Sequence, residues 1–139
     1  MGALKRLSIS IPKELSAAFD KRSKRKGYGN RSEAIRDLIR DELVKEEWSD
    51  PKARVAATLT LVYDHHTRTL TDRITEVQHD GGELIVSALH VHLDHHNCLE
   101  VVVLRGAAKD VQGLGDSLAS IRGIKHAQLT LATEGKSIV

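Results

Sequence analysis

The sequence predicts an α+β chain in two parts, residues 1–50 and residues 51–139. Three observations carry that prediction. A strict polar–apolar alternation over Arg6–Ile11 is followed by two segments of helical period. Beyond residue 51, strand-like and helix-like periods succeed one another in the order β-α-β-β-α-β. Charge is also uneven: residues 1–32 hold nine basic and two acidic side chains, residues 33–139 hold 12 basic and 17 acidic ones. Such asymmetry points to a basic module that meets a polyanion.

In the first part, RLSISI puts Leu7, Ile9 and Ile11 on one face of a strand and Arg6, Ser8 and Ser10 on the other. Pro12 then opens a helix with Leu15, Ala18 and Phe19 at helical spacing, and Gly27 stops it after the basic run Lys21–Lys26. Asn30 is an N-cap for a second helix, with Glu33 three residues on in a box-like pattern. Its apolar stripe is Ala34, Ile35, Leu38, Ile39 and Leu43, and Asp50-Pro51 ends it.

One strand and two helices cannot stand alone, because the strand has no partner for its backbone groups. Two copies solve this by pairing their strands into an antiparallel ribbon, apolar face down on four helices. The outer face then presents Arg6, Ser8 and Ser10 from each chain. A two-stranded ribbon fits the major groove of double-stranded DNA, where Arg pairs guanine and Ser bonds to several bases. The second-helix N-termini, with Asn30, Arg31 and Ser32, flank the ribbon where backbone amides favour phosphate, and Lys24 adds a flanking charge. This arrangement, and above all the run Asn30–Asp37 (NRSEAIRD), resembles the ribbon-helix-helix family of DNA-binding proteins.

In the second part, Ala57–Tyr63 alternates as a strand, Leu70–His79 has a helical face, and Gly81-Gly82 breaks it. Leu84–Leu93 is a β-branched strand, Asp94–Asn97 a turn, and Cys98–Leu104 a third strand. Asp110–Ile121 is helical through Val111, Leu114, Leu118 and Ile121, and His126–Leu131 alternates again. This is the split arrangement of ferredoxin-like folds, with four antiparallel strands and both helices on one face. The other face needs cover, which favours assembly.

Eight His in 139 residues is a high count. His90 and His92 lie two apart on a strand and so share a face. If the turn pairs Leu93 with Asn97, His92 lies opposite Cys98 and His90 opposite Glu100, at cross-strand distances of roughly 5 Å. Two imidazoles and a thiolate so converged bind a late transition metal. A one-residue slip would send Cys98 to the wrong face. Glu100 is placed to fix an imidazole tautomer by a hydrogen bond. His65-His66, His95-His96 and His126 read as surface residues or weak secondary metal sites.

The runs Thr75–His79 and Leu89–Glu100 resemble the metal-binding domain of the nickel-responsive repressors, the NikR family, and with the first module the resemblance covers essentially the whole chain. It implies that His79, His90, His92 and Cys98 are nickel ligands, with His79 supplied by a neighbouring subunit across a tetramer interface. It also implies an ACT-like fold for this half, one Ni(II) per chain, and a homotetramer made as a dimer of dimers. Three nitrogens and one sulfur in a plane suit Ni(II) or Cu(II) better than Zn(II), which prefers a tetrahedron. Glu33 and Asp37, four apart on the second helix, match acids that in this family help to hold a potassium-like cation (K+). Their alternative reading is solvated acids, with Glu33 spent on the Asn30 cap. After His79 the chain has Asp80-Gly81-Gly82 where some relatives carry further His.

The expected protein is a cytoplasmic, nickel-dependent repressor of transcription that binds a palindromic operator of nickel-uptake genes. It is not an enzyme and takes no organic substrate. Aromatics at 3% are too sparse for single-strand binding by stacked bases, and no apolar run nears the roughly 18 residues that span a bilayer. The N-terminus is too polar for a secretory signal, and one Cys rules out an internal disulfide framework. Two other readings compete. One is a metal storage or delivery protein, against which the Arg6/Ser8/Ser10 face argues. The other is an enzyme with Cys98 as nucleophile and His92 as base, which lacks an oxyanion site.

Overall fold

Residues 2–139 are described in a computed structural model. The chain divides into two compact units at Ile39/Arg40, inside its longest helix.

In the first unit, residues 2–12 carry no regular ladder, and Leu7, Ile9 and Ile11 are exposed. Pro12 precedes α1 (Lys13–Arg25), and its carbonyl accepts the Ser16 amide at 3.0 Å. Gly27 ends α1 at φ +85, a left-handed conformation that spares glycine the Cβ penalty. There the Gly27 and Tyr28 amides turn back to the carbonyls of Lys24 and Ser23, satisfying two carbonyls of the last helical turn. Asn30 Oδ1 caps α2 (Arg31–Ser49) by accepting the Glu33 amide at 2.9 Å. Of the two helices, only Ser23 and Ala34 are buried.

In the second unit, β1 (Arg54–Asp64) leads to α3 (Arg68–Gly81). Gly82, at φ +49, ends α3 and starts a short 3-10 turn. Then come β2 (Ile85–His92), β3 (Asn97–Ala107), α4 (Ala108–Ala119) and β4 (His126–Leu131). The sheet order is β2-β3-β1-β4, antiparallel throughout, which is the ferredoxin-like, ACT-like topology. Strands β1 and β3 outrun the apolar stretches that predict them, because backbone pairing continues to Arg54↔Ala107. Val55, Leu59, Leu61, Val102 and Leu104 point inward and are sealed by Leu70, Ile74, Val111 and Leu118 of α3 and α4. On the opposite face, Leu89 and Val91 of the edge strand β2 are 62% and 41% exposed.

Candidate metal centre and nucleic-acid face

Register decides the metal centre. Asp94 Oδ1 accepts the amides of His96 at 2.8 Å and Asn97 at 2.7 Å, and its other oxygen takes Asn97 Nδ2 at 2.9 Å. Those bonds, the Asn97 side chain's first, hold the Asp94 carboxyl below the usual carboxylate range. The turn closes with the Leu93 amide on the Asn97 carbonyl at 2.9 Å. From it follow His92↔Cys98 and His90↔Glu100, as the sequence predicts.

On the helix-covered side of that hairpin, His90 Nδ1 lies 3.4 Å from Cys98 Sγ. Two donors bonded to one ion at about 2.0 and 2.3 Å stand roughly 3.0–3.5 Å apart, so this spacing fits a shared metal. Cys98 is buried, while the His90 side chain is 52% exposed at the edge strand. Glu100 is 1% exposed beneath them. It takes Tyr63 OH at 2.7 Å and Gln78 Nε2 at 2.7 Å, and its Oε1 is 3.1 Å from His90 Nε2. With its proton on Nε2, His90 donates to Glu100 and keeps the Nδ1 lone pair facing sulfur. Burial, then the hydrogen bond and charge of Glu100, push the Tyr63 phenol well above its ordinary range, so it stays a donor.

Tyr63 and Gln78 escape the sequence reading. The signal for Tyr63 was its inward phase on β1; Gln78 had none beyond its place beside His79. That adjacency has a consequence. One step along a helix turns a side chain by about 100°. With Gln78 directed to Glu100, His79 is turned aside and exposed. Among the described residues, no three His, Cys, Asp or Glu of one chain are gathered around a common metal position.

The other histidines are not scattered. His65 stacks on His92 with ring centres 4.5 Å apart, and His66, His95 and His96 crowd beside it. His65 is half-buried; burial first, then the neighbouring His66 and His92, lower its pKa. His126 is exposed.

In the N-terminal unit, Arg6, Ser8 and Ser10 are exposed, as are Lys24, Asn30 and Ser32. Arg31 is also exposed but is tied to α1, its Nε donating to Asp20 Oδ1 at 2.7 Å. Glu33 pairs with Arg36 Nη2, and Asp37 Oδ2 accepts Tyr28 OH at 2.7 Å. The Asp20–Arg31 and Tyr28–Asp37 pairs are also missed by the sequence, since 11 and nine residues separate the partners.

Comparison with known proteins covers both units. Residues 56–132 match the family described as NikR C terminal nickel binding domain, and residues 5–46 match ribbon-helix-helix protein, copG family. A Solibacter usitatus protein named "Putative nickel-responsive regulator" is 51% identical over 135 residues, 97% of each chain. Proteins of the same name from Nitratidesulfovibrio vulgaris and Solidesulfovibrio magneticus are 49% and 52% identical, covering 99% and 100% of both chains. A solved structure of an uncharacterized protein from Thermotoga maritima shares the fold over 56% of this chain and 96% of its own, with TM-score 0.50 and 16% identity.

Proposed function

Because the chain belongs to the nickel-responsive regulators, which join a ribbon-helix-helix module to a NikR C-terminal nickel-binding domain, we propose that it is a nickel-activated repressor whose metal site is shared between subunits. It regulates transcription in response to nickel, and its family is one of regulators, not enzymes.

His90, His92 and Cys98 hold one Ni(II) from one chain, and His79 of another chain completes the set. The observation that carries this reading is the 3.4 Å approach of His90 Nδ1 to Cys98 Sγ, set over Glu100. The outward turn of His79 supports the second subunit's share. Glu100 orients His90, Tyr63 and Gln78 hold Glu100, and Asp94 holds the register. Nickel, when bound, supplies a demand for four donors that one chain does not meet, so binding and assembly are one linked equilibrium. The assembly is a dimer of dimers, and the apolar side of β2 and β3 supports it.

At the other end, Arg6, Ser8 and Ser10 from paired strands read a palindromic operator in double-stranded DNA. Lys24 and the α2 start at Asn30, Arg31 and Ser32 meet phosphates. Nickel-uptake genes are the expected targets and the cytoplasm the expected compartment; no helix among the described residues is long and apolar enough to cross a membrane. The deciding experiment is an electrophoretic shift on genomic fragments with and without nickel. A slow band that needs nickel supports the repressor. A nickel-binding protein that never retards DNA is a storage or delivery protein instead.

Glu33 and Asp37 form the acidic part of a K+ site, where a hard cation also takes carbonyl oxygens. Asp37→Ala then weakens operator binding and abolishes its potassium dependence, with the nickel spectrum unchanged. Tyr28→Phe, which keeps the carboxylate, retains that dependence. Potassium-independent operator binding by the unaltered chain removes the site.

A further inference from the structure

Beyond β4, residues 132–139 run back along the second half of α2. Trp48 Nε1 donates to the Ala132 carbonyl at 2.9 Å, Ser137 Oγ donates to Glu47 Oε1, and Arg40 Nε donates to the Val139 backbone oxygen at 2.8 Å. Arg40, Glu47 and Trp48 stand seven and eight positions apart, so they form one stripe of the helix. The neighbouring positions Asp41, Glu42, Leu43, Lys45 and Glu46 are exposed. Midway along the tail, the Glu134 side chain is 8% exposed, accepts Arg105 Nε at 2.7 Å and lies 3.2 Å from Lys136 Nζ. One segment without regular structure thus touches α2 at both ends and β3 between them.

We propose that residues 132–139 are a strap that fastens the Arg40–Ser49 half of α2 to the sheet, and that its engagement sets how strongly nickel occupancy is felt at the DNA. The second clause rests on the function proposed above; the first does not. Ordering eight residues costs backbone entropy, and the contacts that repay it are a handful of hydrogen bonds and one ion-pair cluster. Such a segment sits near balance and opens without unfolding the sheet. The helix it grips continues without a break into the ribbon-helix-helix unit.

Trp48 is the chain's one tryptophan and reports the strap directly. The experiment compares the full chain with one ended after Leu131, which keeps all four strands. Amide exchange at residues 41–48 should accelerate at least about tenfold while β1 and β3 keep their protection. Trp48 emission should move to the red. Unchanged exchange and emission would overturn the strap. If the shortened chain loses β1 and β3 protection as well, the full-length double variant Glu134→Ala, Ser137→Ala decides by the same two readings. The nickel-dependent gain in DNA affinity should shrink by about fivefold or more, with the nickel spectrum unaltered. A loosened α2 with the gain intact would overturn the coupling. A full chain whose DNA binding ignores nickel would sink the repressor reading and the coupling together, leaving exchange and emission to decide the strap.

Discussion

Leu59, Leu61, Val102 and Leu104 are sealed beneath two helices, while Leu7, Ile9, Leu15 and Ile39, no less apolar, lie 78%, 70%, 57% and 51% exposed. The first set belongs to a unit that closes its core with its own chain. The second belongs to one that does not. Exposed apolar stripes of that size mark surfaces waiting for a partner. The contrast teaches that the two units obtain stability from different sources, and so should fail differently.

The largest expected effect is at the metal. Cys98→Ala should abolish the thiolate–nickel charge-transfer band while leaving the far-ultraviolet spectrum of the sheet in place. A retained band would show that sulfur is not a ligand. Next is the core. Leu61→Ala should cost about 2–5 kcal/mol, a loss that comes from the cavity it leaves in the core and not from an interface. Ile9→Ala should instead make unfolding of the N-terminal unit depend more steeply on concentration. Denaturant titrations at two concentrations check both, and a concentration-independent loss for Ile9→Ala would erase the distinction between the units. Third comes readout: Arg6→Ala should lose roughly 1–3 kcal/mol on the operator and relax base preference. An equal loss on random DNA would reduce Arg6 to a phosphate contact.

The smallest effect is electrostatic and confined to the sheet unit. The Arg105 guanidinium above all, with Lys136 beside it, holds the Glu134 carboxyl down at about 2. A carboxyl lowered on folding adds stability that is fully present above its ordinary value near 4.5 and is lost as pH falls toward about 2. Glu134→Gln should therefore lower the thermal midpoint at neutral pH, and the gap to the unaltered chain should close as pH is brought down through that window. A gap that persists at the acid end would assign the loss to packing.

Much of this was legible beforehand because it is local. The Asp94–Asn97 turn fixes the pairing that sets His92 against Cys98, whereas the alternation over Leu7, Ile9 and Ile11 needs a second strand to become a ladder. Asn30 as a cap and Gly27 as a stop are read from single residues with known backbone preferences. What escaped was long-range. Nothing in the spacing of Tyr63, Gln78 and Glu100 says that a buried carboxylate collects donors from β1 and α3. Nothing at His65 says that it stacks on His92 across 27 residues. The tail from Ala132 onward has no period at all, so its grip on α2 was invisible. Such contacts depend on where the sheet brings distant residues, and a one-dimensional pattern holds no record of that.

The continuity of α2 has a mechanical consequence. Its 19 residues contain neither Gly nor Pro, and at about 1.5 Å per residue they make a rod of roughly 28 Å. A rod without a soft joint does not absorb a rotation; it delivers it. A tilt of about 5° at the Ser49 end carries the Arg31 end through roughly 2.5 Å, close to the length of a hydrogen bond. The length of the helix thus sets how far its Arg31 end would travel for a given rotation at Ser49.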